Sequence, residues 1–389
     1  MDNNIKKLLS ERKWIAIGLS LVLIVLCGLL FSQHNQKQRD DFSKTHFAAN
    51  AKIYGVNVGN LTVKDATKKV NKTAKNKLVL ADGKIVAKHT DKYKVITKKE
   101  VAKIFKDKDL NVVNTKFNKE KTRLEKILAT VVSYKILDET VKFKASDYLK
   151  TLSYQNGKMT LKVNDQVRSE LDKLDKKYST VHKKYELAVP EKTVAKAKKI
   201  TVQNNTYGWE IYTDRAINYI TEAFKAAESK TIDAKDTLYG LGYWTYGLGY
   251  DKSNNGLGDN YIVVSIKKQS LWIIENGQVA VYLPNVVTGT LKGKSDDQTP
   301  TGVFYIHYKQ SPSVLRGTNS DGSKYASKVQ YWMPFTLSGC GLHDASWRTD
   351  WSKTAYLAGG SHGCVNIKPS QIKTVWKHVH KHEPIVIYY

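Results

Sequence analysis

Gly360-Ser361-His362-Gly363-Cys364-Val365-Asn366 is the stretch on which the reading of this chain turns. A cysteine set between glycine and a short β-branched residue, just ahead of a helix start, sits where backbone N–H groups converge and where a thiolate is stabilised. The flanking glycine lets a substrate approach the backbone closely. Such a nucleophile needs a base, and His343 in Gly341-Leu342-His343-Asp344, 21 residues upstream and read as a strand end, is the candidate. His362 is too near in sequence for that task. A lone Cys or His is more often a packed core residue, so the combination carries the inference.

Outward from this stretch, Tyr261 to Tyr389 reads as short strands joined by turns: Tyr261 to Ile266, Leu271 to Ile274, Val279 to Tyr282, Gly302 to His307 and Pro384 to Tyr389. One helix stands out by its apolar spacing, Ile372, Val375, Trp376 and Val379, with Pro369 in its first turn. The pattern predicts a mainly β domain closed by a helix and a final strand. All tryptophans but Trp14 lie at or beyond Trp209, so the well-packed domain is C-terminal.

Together these residues resemble the L,D-transpeptidase catalytic domain (the YkuD-type fold), whose signature is a His, a spacer, then Ser/Thr-His-Gly-Cys-x-Asn or Arg. Here 17 residues separate His343 from Ser361. Val287-Thr288-Gly289, Thr299-Pro300-Thr301-Gly302-Val303-Phe304, Trp332-Met333-Pro334-Phe335 and His343-Asp344-Ala345-Ser346-Trp347-Arg348 also match. The resemblance covers the C-terminal third and implies a cysteine acyl transferase of peptidoglycan that uses no cofactor or metal. Cys364 attacks the carbonyl of the third residue of a tetrapeptide stem, the terminal D-Ala leaves, and an amine of a neighbouring stem captures the acyl group. His343 takes the thiol proton. Backbone N–H groups of Gly363 and Cys364 form the oxyanion hole, Ser361, His362 and Asn366 shape the site, and Trp332, Met333, Trp347 and Arg348 bind substrate.

The family suggests a backbone carbonyl as the orienter of His343, while Asp344, where many members carry Gly, makes a carboxylate orienter an alternative. Lys309 to Gln330 matches the position of a substrate-covering lid, with an ordinary surface loop as the other reading. Cys340 reads as a buried free thiol rather than a partner for Cys364. His378, His380 and His382 read as a solvated helix end rather than a metal site.

The chain has 389 residues, 41% hydrophobic and 25% charged, which excludes collagenous and wholly disordered readings and allows two or three domains. Three cysteines, one of them Cys27 in an apolar run, make no disulfide framework. From Trp14 to Phe31 there are 18 residues without a charge, long enough to cross a bilayer as a helix. Lys6, Lys7, Arg12 and Lys13 precede it, so residues 1–13 are expected to be a cytoplasmic tail, 14–31 an uncleaved anchor, and the remainder extracellular, at the cell-wall side of the membrane. A cleaved signal peptide is the alternative, though no small-x-small pattern follows.

Residues 32–50 read as a polar linker. Two related α+β modules are expected at 51–135 and 140–232, from a weak repeat between Tyr93 to Val101 and Trp209 to Ile217, each a strand feeding a Thr-capped helix. Gly55 to Ala66 resembles the opening of peptidoglycan-binding modules found ahead of some Gram-positive wall enzymes. A Gly/Tyr-rich linker is expected at 238–260 and the catalytic domain at 261–389. Residues 51–200 carry 37 basic and 17 acidic residues, a net +20 of the chain's +27. An exported basic surface without regular aromatic interleaving points away from nucleic acid and toward anionic wall polymers or lipid headgroups.

The leading expectation is thus a membrane-anchored L,D-transpeptidase. The alternatives are an L,D-carboxypeptidase that gives the same acyl group to water, and a non-catalytic wall-binding protein, against which the intact Cys364 and His343 argue.

Overall fold

In the computed structural model the described residues are 3–241, 247–292, 297–319 and 321–389, with side chains in the first helix described for residue 11 and from residue 18 on. That helix, α1 (Asn3–Ser43), runs well past the expected anchor and through the polar segment 32–43, which is therefore helix rather than linker. Gln, Lys and Arg propagate a helix once it is nucleated, so loss of apolar character at Ser32 does not end it. Within it, Gly18–Ser43 contains an 18-residue window apolar enough to cross a membrane, with a mean hydropathy of 1.6.

The chain divides into two compact units, residues 1–129 with 149–162, and residues 130–148 with 163–389. In the first, α2 (Val63–Thr73) starts at Thr62, whose hydroxyl accepts from Asp65 N, and α3 (Lys98–Lys106) starts at a full capping box between Thr97 and Glu100. Both bury one face on Phe47, Ile53, Val58, Val70, Ile96 and Val101. A four-stranded sheet follows, in the order Lys84–Lys88, Lys77–Ala81, Leu149–Gln155, Lys158–Val163. In the second unit, Val131–Ile136 pairs in parallel with Lys230–Asp233 and antiparallel with Glu139–Lys144.

These pairings interleave the two expected modules: strand Leu149–Gln155, inside the second, pairs with Lys77–Ala81 of the first. Strand pairing is non-local, and spacing along the chain does not reveal it. The repeat is also imperfect at its helix starts. Thr213 is the first helical residue rather than the cap, and its hydroxyl donates to Asp172 Oδ1.

The expected linker 238–260 is partly integrated. Tyr250 accepts a hydrogen bond from Leu137 N at 3.0 Å through its hydroxyl and meets Trp209 edge-on, and Leu257 is buried. Tyr243 and Tyr246 lie outside the described residues.

The C-terminal region is built on a five-stranded sheet of β1 (Tyr261–Ser265), β2 (Ser270–Glu275), β3 (Gln278–Leu283), β4 (Gly302–Tyr305) and the last strand of the chain, Pro384–Tyr388. Its order is β3-β2-β1, then Pro384–Tyr388, then β4. Both faces are covered, which is why β1 and the last strand read as continuous apolar runs rather than alternating ones. Ile262, Val264, Leu271 and Ile273 face the main core, while Tyr261, Val263, Trp272 and Ile274 face a second cluster with Leu187, Val189 and Val202 of a long hairpin.

Onto the main core pack two further pieces. One is a three-stranded sheet made of Trp332–Pro334, Gly341–Asp344 and Val365–Ile367; the other is the helix Pro369–His378, with proline in its first turn. The segment Lys309 to Gln330 is not an irregular loop. It forms an antiparallel hairpin of β5 (Ser313–Thr318) and β6 (Lys324–Val329).

Candidate active site

Three short strands place the site: β7 (Trp332–Pro334), β8 (Gly341–Asp344) and β9 (Val365–Ile367). β8 lies between the others, with Trp332 opposite His343 and His343 beside Asn366. Residues in register on neighbouring strands share a face. One row therefore reads Trp332, His343, Asn366. The next row reads Met333, Leu342, Val365 and is fully buried in the core. Met333, expected at the substrate, is thus a core residue: the pleat that turns Trp332 to the site turns its neighbour away.

Cys364 immediately precedes β9, in a loop shaped by close backbone approaches. A Cβ on Gly360 would lie 2.4 Å from Thr290 N, and Gly363 has φ +103°, so both positions require glycine. The loop is pinned by Ser361 N to Thr288 O at 3.0 Å and Thr290 N to Ser361 O at 2.9 Å. Ser361 Oγ donates to the Cys364 carbonyl at 2.5 Å. Thr299 Oγ1 donates to the Gly363 carbonyl at 2.8 Å and accepts from Gly289 N at 2.8 Å. The Cys364 sulfur lies 3.8 Å from Gly339 O. Burial pushes its thiol up to about 12; Cys340 works in the same direction, and a hydrogen bond from the Gly341 backbone works against it.

His343 is buried, and its Nδ1 donates to the backbone carbonyl of Asp344 at 2.8 Å. That bond fixes the tautomer and leaves Nε2 as the basic nitrogen. Asn366 Nδ2 lies 3.1 Å from Nε2, Asn366 Oδ1 accepts from Arg348 Nε at 2.9 Å, and Arg348 Nη1 donates to Gly359 O at 2.7 Å. Trp347 stacks on the imidazole at 5.8 Å between ring centroids, and Trp332 tilts against it at 5.9 Å. Burial holds the imidazolium form down, and nearby Arg348 adds to this against the pull of Asp344.

The group of Asp344 that accepts from the imidazole is thus its backbone carbonyl. Its carboxylate accepts from Gln330 N and Tyr331 N at 2.9 Å, tying down the end of the β5–β6 hairpin. Cys364, His343, Trp332, Trp347, Arg348, Ser361, His362, Asn366 and Asp344 all line one cleft of about 1190 Å³, whose far wall is the hairpin. Tyr325 of β6 stacks on His362 at 5.4 Å. Arg348 enters the cleft wall mainly as the residue that holds Asn366. Sequence reasoning missed Thr299 as a loop anchor, although it sits in a quoted motif, and missed Gly339, Gly341 and Tyr325, which reach the site only through space. Cys340 is buried and free, with its thiol turned to Thr336 and Ser338. His378 pairs with Glu275 at 2.9 Å, and among the described residues no three metal-ligating side chains cluster.

Residues 259–387 match the family of the L,D-transpeptidase catalytic domain, YkuD. The chain is similar to the solved Ldtfm–avibactam carbamoyl enzyme, at 29% identity and a TM-score of 0.50, covering 70% of this chain and 99% of that one. It is also similar to the catalytic domain of the Enterococcus faecium L,D-transpeptidase, at 37% identity over 33% of this chain and 97% of that one, with a TM-score of 0.30. L,D-transpeptidase 1 of Mycobacterium tuberculosis is 27% identical over 132 residues, 32% of this chain and 49% of that protein. The chain thus spans about half the length of that relative.

Proposed function

We propose, on the premise that this chain belongs through residues 259–387 to the L,D-transpeptidase family, that it is a membrane-anchored enzyme cross-linking peptidoglycan between the third residues of stem peptides. Cys364 Sγ attacks the carbonyl carbon of the third residue. A C–S bond forms, the C–N bond to the terminal D-Ala breaks, and the thiol proton passes by way of His343 Nε2 to the departing amine. An amine of a second stem then attacks the thioester, gives its proton to Nε2, and the thiol is restored.

The observation that carries this reading is the 2.8 Å bond from His343 Nδ1 to the Asp344 carbonyl, which leaves Nε2, 3.1 Å from Asn366 Nδ2, as the basic nitrogen in the cleft that also holds the Cys364 thiol. Burial disfavours the charged form of both groups, so the resting pair favours thiol and imidazole over thiolate and imidazolium. Backbone N–H groups of Gly363 and Cys364 are assigned to the developing oxyanion. The side chains of Trp332, Trp347 and Arg348 line the stem-binding cleft, and His362 sets its contact with the hairpin. Anchoring is supported by the apolar part of α1, and a wall-side location by the basic residues that precede it.

The test is turnover of purified disaccharide tetrapeptides by the full chain beside Cys364→Ala, followed by mass spectrometry. Cysteine-dependent dimers joined between third residues support the proposal. D-Ala release without dimers assigns the enzyme as an L,D-carboxypeptidase, and no turnover of any stem leaves a wall-binding protein.

A further inference from the structure

Five lysines line a groove of about 410 Å³ between α2 and the segment that enters α3: Lys64, Lys68, Lys72, Lys94 and Lys98. The first three recur every fourth residue, so they form one row along α2 at steps of about 6 Å. Like charges at this spacing repel and weaken the helix that carries them. All five are exposed, and among the described residues none takes part in an ion pair. The one carboxylate in the groove, Asp91, is already engaged by His89 Nε2 at 3.0 Å. Among the described residues, five lysines thus face a single carboxylate in the groove lining.

The opposite wall is rigidly placed. Asn71 Nδ2 donates to Thr67 O at 3.0 Å and Ile96 O at 2.8 Å, while its Oδ1 accepts from Val95 N at 2.6 Å and Ile96 N at 3.2 Å. Asn76 Nδ2 donates to Thr90 O at 2.8 Å and Tyr93 O at 3.2 Å. Lys94 is therefore stapled on both sides, and the Thr97–Glu100 capping box sets Lys98 at the first turn of α3. A groove pre-organised in this way loses little freedom on binding.

Its lining also narrows the ligand. No aromatic ring is present to stack on a sugar, and no large apolar side chain to enter a bilayer. Compact ammonium groups in a row match a linear chain of repeating tetrahedral monoanions, which needs no fork geometry. We propose that this groove is a binding site for a phosphodiester polymer and holds the protein on a polyol-phosphate chain.

The experiment uses the full chain in nonionic detergent and poly(glycerol phosphate) of defined length, titrated over a range of salt. The variants are a groove triple, Lys68→Gln with Lys72→Gln and Lys98→Gln, and a control triple of equal charge, Lys183→Gln with Lys196→Gln and Lys198→Gln. The expected result is at least a tenfold loss of affinity for the groove triple, with its log K against log salt slope reduced by about three, one per lysine. The control retains most of its affinity. Equal losses in both triples would reduce the binding to net charge and overturn the site. So would retention of the groove triple on the polymer, or a groove-dependent attachment to phosphatidylglycerol vesicles in place of the polymer. Turnover of a soluble stem fragment, unchanged in the groove triple, shows that the variant is folded and keeps this inference separate from the acyl-transfer reading.

Discussion

Burial acts on both reactive side chains in the same sense, against charge: it lowers the pKa of His343 and pushes the Cys364 thiol up to about 12. Because the proposed base must be neutral to accept a proton, activity is expected to fall as pH drops through the His343 value, which burial lowers from the ordinary histidine value. The acid limb of kcat/KM is therefore expected below pH ~6.5; a limb at or above it would show that the imidazole is not held as described. The same neutrality predicts slow alkylation of Cys364 by iodoacetamide, with a rate still rising past about pH 9. A plateau near neutral pH would reveal a preformed thiolate. Met333 and Trp347 separate core from cleft. Met333→Ala is expected to cost about 2–5 kcal/mol of stability by opening a cavity, with KM of the surviving fold unchanged, whereas Trp347→Ala is expected to change KM or kcat with little effect on the thermal midpoint. The reverse pattern would contradict the register of β7.

At the scale of elements, Asp344 joins two parts of the cleft through one residue, its carbonyl accepting from the His343 imidazole and its carboxylate clamping the end of the β5–β6 hairpin. Asp344→Asn keeps the carbonyl but weakens the clamp. It is expected to raise KM by about tenfold or less, from partial loss of charge-assisted hydrogen bonds, and to move the acid limb of kcat/KM to lower pH, because the lost carboxylate charge no longer favours the imidazolium. A large fall in kcat at pH values where the imidazole is neutral would restore the carboxylate as orienter. The strands of the five-stranded sheet and the helix opened by Pro369 were legible because their apolar runs and the proline are local signals. Of the short strands β7 to β9 only the strand end at His343 was legible, since three or four residues give too little periodicity and their partners lie far apart in sequence. For the same reason the motif residues Cys364 and His343 were readable, whereas the Gly339 and Gly341 contacts to the sulfur, and the Tyr325 stack on His362, were not. The Thr97 capping box was visible as Thr-x-x-Glu; Thr213, with alanine at the matching place, lacked the acidic half and does not cap.

For the whole molecule, charge and hydropathy separate along the chain: an apolar helix near the start, a net +20 over residues 51–200, and only +4 over residues 201–389, where 19 basic residues meet 15 acidic ones. Two kinds of attachment are expected to respond to different reagents. High salt should release the basic region from isolated wall material while leaving the chain with the membrane fraction, which only detergent should dissolve. Release from both by salt alone would remove the anchor from this account. The strand exchange between the two expected modules was hidden from the sequence, because a repeat in local pattern says nothing about which strands pair.

Everything proposed about the chemistry rests on Cys364 carrying the acyl group, and intact-protein mass spectrometry of the full chain during turnover of a disaccharide tetrapeptide tests this most directly. The account expects a mass increase equal to the stem fragment without its terminal D-Ala, mapped to Cys364 and absent in Cys364→Ala. D-Ala release that persists in Cys364→Ala, or an adduct on any other residue, would contradict it.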